Sequence, residues 1–125
     1  MTHQELPADV RRFVLTSIPS VPYLEAVLLL RAQPQEAWQA TDLARRLYVP
    51  DRTATDLVQQ LRDGGVAEAA GEGAIRYAPA AELKDRLEAL AHWYAADLVT
   101  ITGLIHSRID RRAQQFADAF RIRKE

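Results

Sequence analysis

The chain has 125 residues, a formal net charge of −1 and 48% hydrophobic residues. Its length fits one domain with a short extension, and its apolar content is enough to bury a core, which excludes a disordered protein. The near-neutral charge balance excludes a general polyanion binder. Because the sequence contains no cysteine, it can form neither a disulfide nor a thiolate zinc site.

The sequence carries no visible targeting or membrane signal. Its longest apolar run, Leu98 to Ile105, is much shorter than the roughly 20 residues that a membrane-spanning helix needs. The N-terminus lacks a basic start followed by an apolar segment, so no signal peptide is predicted. We therefore expect a soluble cytoplasmic protein.

Residues 1–35 predict two helices that pack on the core. The first runs from Pro7 to Ile18 and has apolar residues at helical spacing. Ser20 is the predicted N-cap of the second, which has Pro22 in its first turn and ends near Gln33.

Residues 36–79 begin with a candidate short strand, Trp38 to Ala40. Thr41 is the predicted N-cap of a helix, because threonine is favoured at that position. Pro50 limits this helix, since the residue before a proline avoids the helical conformation.

A second helix and a hairpin follow. Asp51 is the predicted N-cap of the helix Arg52 to Asp63, and Gly64-Gly65 ends it because glycine accepts a left-handed conformation. The segments 66–70 and 74–78 flank a Gly-Glu-Gly tip and predict two antiparallel strands.

This order of elements resembles the winged helix-turn-helix superfamily of bacterial regulators, of the MarR and PadR kind. The residues that carry the resemblance are Thr41-Asp42-Leu43-Ala44, Leu47, Val49, Leu57, Leu61 and Gly64-Gly65-Val66. The tail FADAFRIRK, residues 116–124, also looks like that of uncharacterised bacterial winged-helix proteins. The resemblance implies a mostly α fold with a small β-wing. Its parts would be flanking N-terminal helices in 1–35, the winged helix-turn-helix in 36–79 and a long C-terminal helix within 80–125.

The resemblance also implies that the helix Arg52 to Asp63 is a recognition helix for DNA. Arginine pairs with guanine and glutamine with adenine, each through two hydrogen bonds, while threonine can contact phosphates. The predicted DNA-binding residues are Arg52, Thr53, Thr55, Gln59, Gln60, Arg45, Arg46 and Arg76.

The distribution of charge argues against DNA. Asp56 and Asp63 fall on the same outward helix face, and Glu68 and Glu72 lie in the hairpin, where Arg76 is the cation. Because affinity for DNA comes largely from neutralised phosphates, this hairpin contributes little. The acidic hairpin favours a different function, an adaptor that docks on another protein.

Residues 80–125 contain an apolar stripe from Leu83 to Ile109 with helical period. The stripe predicts a long helix, with a break near Ser107 as an open alternative. It also predicts a homodimer, since a short chain has little core to cover so long a stripe, although packing on the N-terminal helices stays open. The predicted interface residues are Leu87, Leu90, Tyr94, Leu98, Ile101, Ile105, Phe116 and Phe120.

The sequence contains no phosphate-binding glycine loop and no evident catalytic pair. His106 and Asp110 have the spacing of two metal ligands on a helix, but no third ligand is evident. We therefore expect neither enzymatic activity, nor a metal, nor a cofactor.

Three functions follow as expectations. The first is a dimeric, sequence-specific DNA-binding regulator of transcription. The second is a winged-helix adaptor that meets a protein partner through its acidic wing and its Phe116/Phe120 tail. The third is a regulator with an effector pocket between the long helix and the wing domain.

Overall fold

The computed structural model describes the backbone of residues 5–123 and the side chains of residues 5–115 and 117. This part of the chain is mostly helical with one small antiparallel sheet, as the sequence predicts. In chain order its elements are α1 (Ala8–Ser17), α2 (Val21–Ala32), α3 (Ala40–Leu47), α4 (Asp51–Asp63), β1 (Ala67–Ala69), β2 (Ile75–Tyr77), α5 (Ala81–Ala96) and α6 (Leu98–Arg123).

Helix α2 is the centre of the core. Ser20 caps it as predicted, because its Oγ accepts a hydrogen bond from the N–H of Tyr23 at 3.2 Å. Leu24, Val27 and Leu30 are fully buried on α2. The helix contacts α3, α4 and β2, so these three elements share one apolar core with it.

Two predicted helix caps are wrong by one or two residues. Helix α3 begins at Ala40 after the N-cap Gln39, so Thr41 lies inside the first turn. The Asp42 carboxylate accepts the N–H of Gln39 at 3.0 Å, which stabilises the earlier start. Pro50 is the N-cap of α4, and Asp51 is its first residue, where a negative charge favours the positive end of the helix dipole.

The end of α4 leads directly into the hairpin. Gly65 has a φ of +76°, its N–H donates to Arg62, and the N–H of Val66 donates to the carbonyl of Leu61 at 3.0 Å. These two bonds form a Schellman ending, for which glycine is the favoured residue. Strands β1 and β2 then pair with Ala67 opposite Tyr77.

Trp38 adds a third short strand position to this sheet. Its N–H donates to the carbonyl of Ile75 at 2.7 Å, and the Ile75 N–H donates back at 2.9 Å. The predicted strand Trp38 to Ala40 is thus reduced to a single bridge at Trp38, because Ala40 already belongs to α3.

The long C-terminal helix is broken at Asp97, and the alternative of a break near Ser107 is wrong. Asp97 separates α5 from α6. Its carboxylate accepts the N–H of Thr100 at 3.3 Å and the Thr100 hydroxyl at 2.7 Å. This is the hydrogen bonding of an N-cap, which starts a new helix, and α6 then continues through Ser107.

The chain buries much of its own apolar stripe. Leu87, Leu90, Ile101 and Ile105 belong to the same core cluster as the residues of α2 and α4. Helix α6 packs on α1 and α5. The core therefore extends through all three segments that the sequence distinguishes.

Within residues 5–123, no single helix is both long enough and apolar enough to cross a bilayer. Helices α1 and α2 meet that criterion only when taken together, and they are bent by 110° relative to each other.

A candidate interaction surface on α3, α4 and the hairpin

Helix α4 presents one apolar and one polar side. Ala54, Leu57 and Leu61 are buried against the core, where α4 meets α2 and α3. The exposed residues on the opposite side are Arg52, Thr55, Asp56, Gln59, Gln60, Arg62 and Asp63. Thr53 is half-buried, so it is the least accessible of the predicted DNA-binding residues.

Three of the exposed polar side chains on α4 have partners within the helix. The Gln59 Nε2 donates to Asp63 Oδ1 at 2.8 Å, and the Thr55 hydroxyl donates to the carbonyl of Asp51 at 3.0 Å. Both bonds are exposed to solvent, where net hydrogen-bond energies are small. A ligand that offers better partners can therefore replace them at little cost.

The arginines around α4 are held to different degrees. The Arg46 guanidinium lies 5.5 Å from the ring centroid of Trp38, a cation–π contact at the end of α3. The Arg76 Nε donates to the carbonyl of Gln35 at 3.3 Å. Arg45 and Arg52 are exposed on α3 and α4. With Arg62, α3, α4 and the hairpin carry five exposed arginines.

The hairpin carries exposed negative charge. Gly71, Glu72 and Gly73 all have positive φ values, of 91°, 52° and 80°. Glu72 is exposed at this tip, and Glu68 is exposed on β1, where it lies opposite Arg76. The exposed charges of α3, α4 and the hairpin balance, since five arginines stand against five carboxylates: Arg45, Arg46, Arg52, Arg62 and Arg76, and Asp51, Asp56, Asp63, Glu68 and Glu72.

Tyr48 lies in the turn between α3 and α4 and is not among the predicted site residues. Its φ is +57° and its ψ is +46°, the left-handed conformation. Its side chain is 95% exposed. The sequence gives one indication of this turn. Tyr48 follows Leu47, the last residue of α3, and turns between two such helices often contain glycine at this point.

The predicted dimer interface is largely inside the chain. Leu87, Leu90, Ile101 and Ile105 are at most 1% exposed. They are core residues, which corrects their assignment to a surface between two chains. Tyr94 is half-buried and Leu98 is 49% exposed. The side chains of Phe116 and Phe120 lie outside the described residues.

Other apolar residues of α6 are accessible. Val99 is 76% exposed and Ile109 is 43% exposed, in addition to Leu98. Exposed aliphatic side chains on one helix provide a surface for a second chain, although scattered ones are common in monomers.

A cleft of about 460 Å³ lies where α1, α4, α5 and α6 meet. Arg108 and Arg112 line it from α6, and Asp63 lines it from α4. The Arg108 guanidinium donates hydrogen bonds to the carbonyl oxygens of Leu15 and Ile18, at the end of α1, at 2.9 and 3.0 Å. Burial, together with the nearby charge of Arg112, lowers the pKa of Arg108. Arg108 therefore attaches α6 to the end of α1.

Among the described residues, no group of three or more histidine, aspartate or glutamate side chains is placed to hold a metal ion. His106 and Asp110 are both exposed on α6.

No protein-family model matches the chain, and no curated protein matches it at a significant level.

Proposed function

We propose that this chain is a winged-helix protein that binds double-stranded DNA sequence-specifically, as a homodimer, to regulate transcription in the cytoplasm. One observation supports this function most directly. Helix α4 buries its apolar side on α2 and α3, leaves all of its polar residues except Thr53 exposed, and is followed directly by the hairpin. A helix presented in this way fits the major groove of B-DNA, which is about 12 Å wide.

The order of the elements supports the same proposal. The bridge at Trp38, the helices α3 and α4, and the hairpin β1–β2 follow one another in the chain. In a winged helix the strand, two helices and hairpin have this order, and the second of the two helices reads bases. The hairpin, residues 67–77, is then the wing.

The side chains on α4 suit base recognition. Arg52, Gln59 and Gln60 are exposed and can each make two hydrogen bonds to a base edge. Arg45 and Arg46 on α3 and Arg76 on β2 are exposed and can contact phosphates, as can the exposed hydroxyl of Thr55. Thr53 contributes less, because its side chain is half-buried.

The exposed residues of α6 support the dimer. Leu98 and Val99 at the α5–α6 junction, and Ile109 further along α6, offer an apolar contact for a second copy. A two-fold dimer binds two half-sites, so a palindrome in the bound DNA reports the geometry of the dimer.

The test is selection of duplexes from a random pool at about 150 mM salt, where non-specific phosphate contacts are weakened. We expect a recovered palindrome that the parent binds with a measurable Kd. Arg52→Ala is expected to weaken binding to the selected site by about tenfold or more, since a base contact contributes about 1–3 kcal/mol. Arg86→Ala, an exposed arginine on α5, is the matched control and is expected to bind like the parent.

Gln59→Ala should reduce the discrimination between bases at one position of the selected site. Fluorescence anisotropy measures this as the Kd of the variant for single-base variants of that site. Folding of each variant is checked by circular dichroism. If no duplex is enriched by folded protein, DNA binding is rejected. Equal discrimination by the parent, Arg52→Ala and Gln59→Ala would instead reject α4 as the reading element.

A second function is favoured by the charge of the wing. Glu72 is exposed at the tip and Glu68 is exposed on β1. Exposed carboxylates suit a basic protein surface and repel phosphates. An adaptor of this kind is expected to retain a partner protein in a pull-down at physiological salt and to lose it in Glu68→Gln/Glu72→Gln. In that case the duplex selection gives no enriched sequence.

A further inference from the structure

The backbone of Tyr48 has a conformation that is unfavourable for a tyrosine. Its φ of +57° is left-handed, a region in which the Cβ of any residue other than glycine crowds the following carbonyl oxygen. The N–H groups of Tyr48 and Val49 both donate to the carbonyl of Ala44, which ends α3. The backbone there needs a left-handed residue, and glycine is the residue that adopts it most easily.

Burial in the core does not offset this unfavourable backbone, because the Tyr48 side chain lies outside the core. It is 95% exposed, more than any other large apolar side chain among the described residues. Neither backbone preference nor burial therefore explains a tyrosine at this position. A strained, exposed aromatic residue is a reason to look for a contact outside the chain.

The charged residues near Tyr48 in the sequence indicate what it contacts. Arg45, Arg46 and Arg52 lie within four positions of it along the chain and are exposed. Asp51 is the acidic residue in the same interval, so the turn has an excess of positive charge. The acidic tip of the hairpin, by contrast, belongs to a different loop.

We infer that Tyr48 is a contact to the DNA backbone, its phenol hydroxyl donating to a phosphate oxygen beside the arginines of the α3–α4 turn. The inference rests on the proposed DNA binding, because the phosphate belongs to the duplex that α4 reads. Tyrosine hydroxyls are common donors to phosphate, and such contacts fix the register of the protein on the duplex.

Two variants separate this contact from a structural role. Tyr48→Phe removes only the hydroxyl, and Tyr48→Gly removes the side chain while relieving the left-handed strain. Both are expected to weaken binding to the selected duplex by about tenfold, the loss of one hydrogen bond to a charged group. The Tm of Tyr48→Gly is expected to equal or exceed that of the parent, since glycine accepts this backbone.

The salt dependence of binding gives an independent readout. Tyrosine is neutral and releases no counterion, so Tyr48→Phe should leave the slope of log K against log salt unchanged. Arg45→Gln should reduce that slope by about 1. The control is Tyr77→Phe, because the Tyr77 hydroxyl is buried without a hydrogen-bond partner and cannot reach DNA.

The outcomes distinguish failure of DNA binding from failure of the Tyr48 contact. If the parent enriches no duplex, DNA binding fails and the Tyr48 contact fails with it. If the parent binds and Tyr48→Phe has the same Kd, the contact is rejected while DNA binding stands. A marked fall in the Tm of Tyr48→Gly would show that the ring stabilises the fold, which also overturns the inference.

Discussion

At the scale of single residues, the end of α4 depends on the absence of a side chain at Gly64. A Cβ at this position would lie 2.7 Å from the Tyr23 hydroxyl oxygen and 3.2 Å from the carbonyl oxygen of Gln60. The Tyr23 side chain is 4% exposed, and its burial raises the pKa of the phenol. Gly64 is therefore required by packing, whereas Gly65 is required by its left-handed backbone.

Gly64→Ala is expected to destabilise the protein by about 1–3 kcal/mol, the usual cost of adding volume to a packed site. Removing the tyrosine hydroxyl in Tyr23→Phe makes room for the methyl group, so the double variant should recover part of this loss. The measurement is the free energy of unfolding of all four proteins in urea, as a double-mutant cycle. Additive effects of the two changes would contradict the contact.

At the scale of elements, helix propensity does not distinguish one long helix from two. The stretch from residue 81 to residue 123 is helical throughout except at Asp97. Asp97 and Thr100 form the capping interaction that divides it. The cap directs α6 onto α1, where Arg108 donates to the Leu15 and Ile18 carbonyls.

Asp97→Ala is therefore expected to cost about 1 kcal/mol of stability, the typical loss for an N-cap aspartate. Asp110→Ala is the matched control, since Asp110 is exposed in the middle of α6 and is expected to change little. Thermal unfolding followed by circular dichroism measures both. A similar loss in the two variants would mean that Asp97 does not act as a cap.

At the scale of the whole molecule, an ion pair joins α2 to α5. The Arg31 Nε donates to Glu88 Oε2 at 2.9 Å, and the Arg31 Nη2 contacts the same oxygen. The hydrogen bond from Arg31 lowers the pKa of Glu88 below its ordinary value. Both side chains are partly exposed, at 34% and 45%, so solvent weakens the interaction.

This shift predicts a pH-dependent stability. A carboxylate with a lowered folded-state pKa stabilises the fold above its unfolded pKa, and this contribution is lost as the pH falls through the folded-state pKa. Glu88→Gln should therefore unfold at lower urea than the parent at about pH 7 and at similar urea at about pH 3. Glu25→Gln, at an exposed position on α2, is the control. An equal difference between Glu88→Gln and the parent at both pH values would contradict the assignment.

Local chemistry in the sequence is enough to predict most of the elements. Ser20, the hairpin around Gly71 to Gly73 and the glycine ending of α4 are signals that act over a few residues. The polar face of α4 follows from the spacing of Ala54, Leu57 and Leu61 alone. The surface on which the proposed function depends can therefore be predicted from periodicity.

The tertiary structure decided which apolar residues remain accessible. The stripe on α5 and α6 looks the same in the sequence whether it meets a second chain or its own core. The fold buries Leu87 and Ile101 and exposes Leu98 and Val99, because α1 occupies one side of α6 through contacts across 90 or more positions. The exposure of the Tyr48 side chain is likewise decided by the tertiary structure. It depends on how α3 and α4 pack together, and no local pattern encodes that packing.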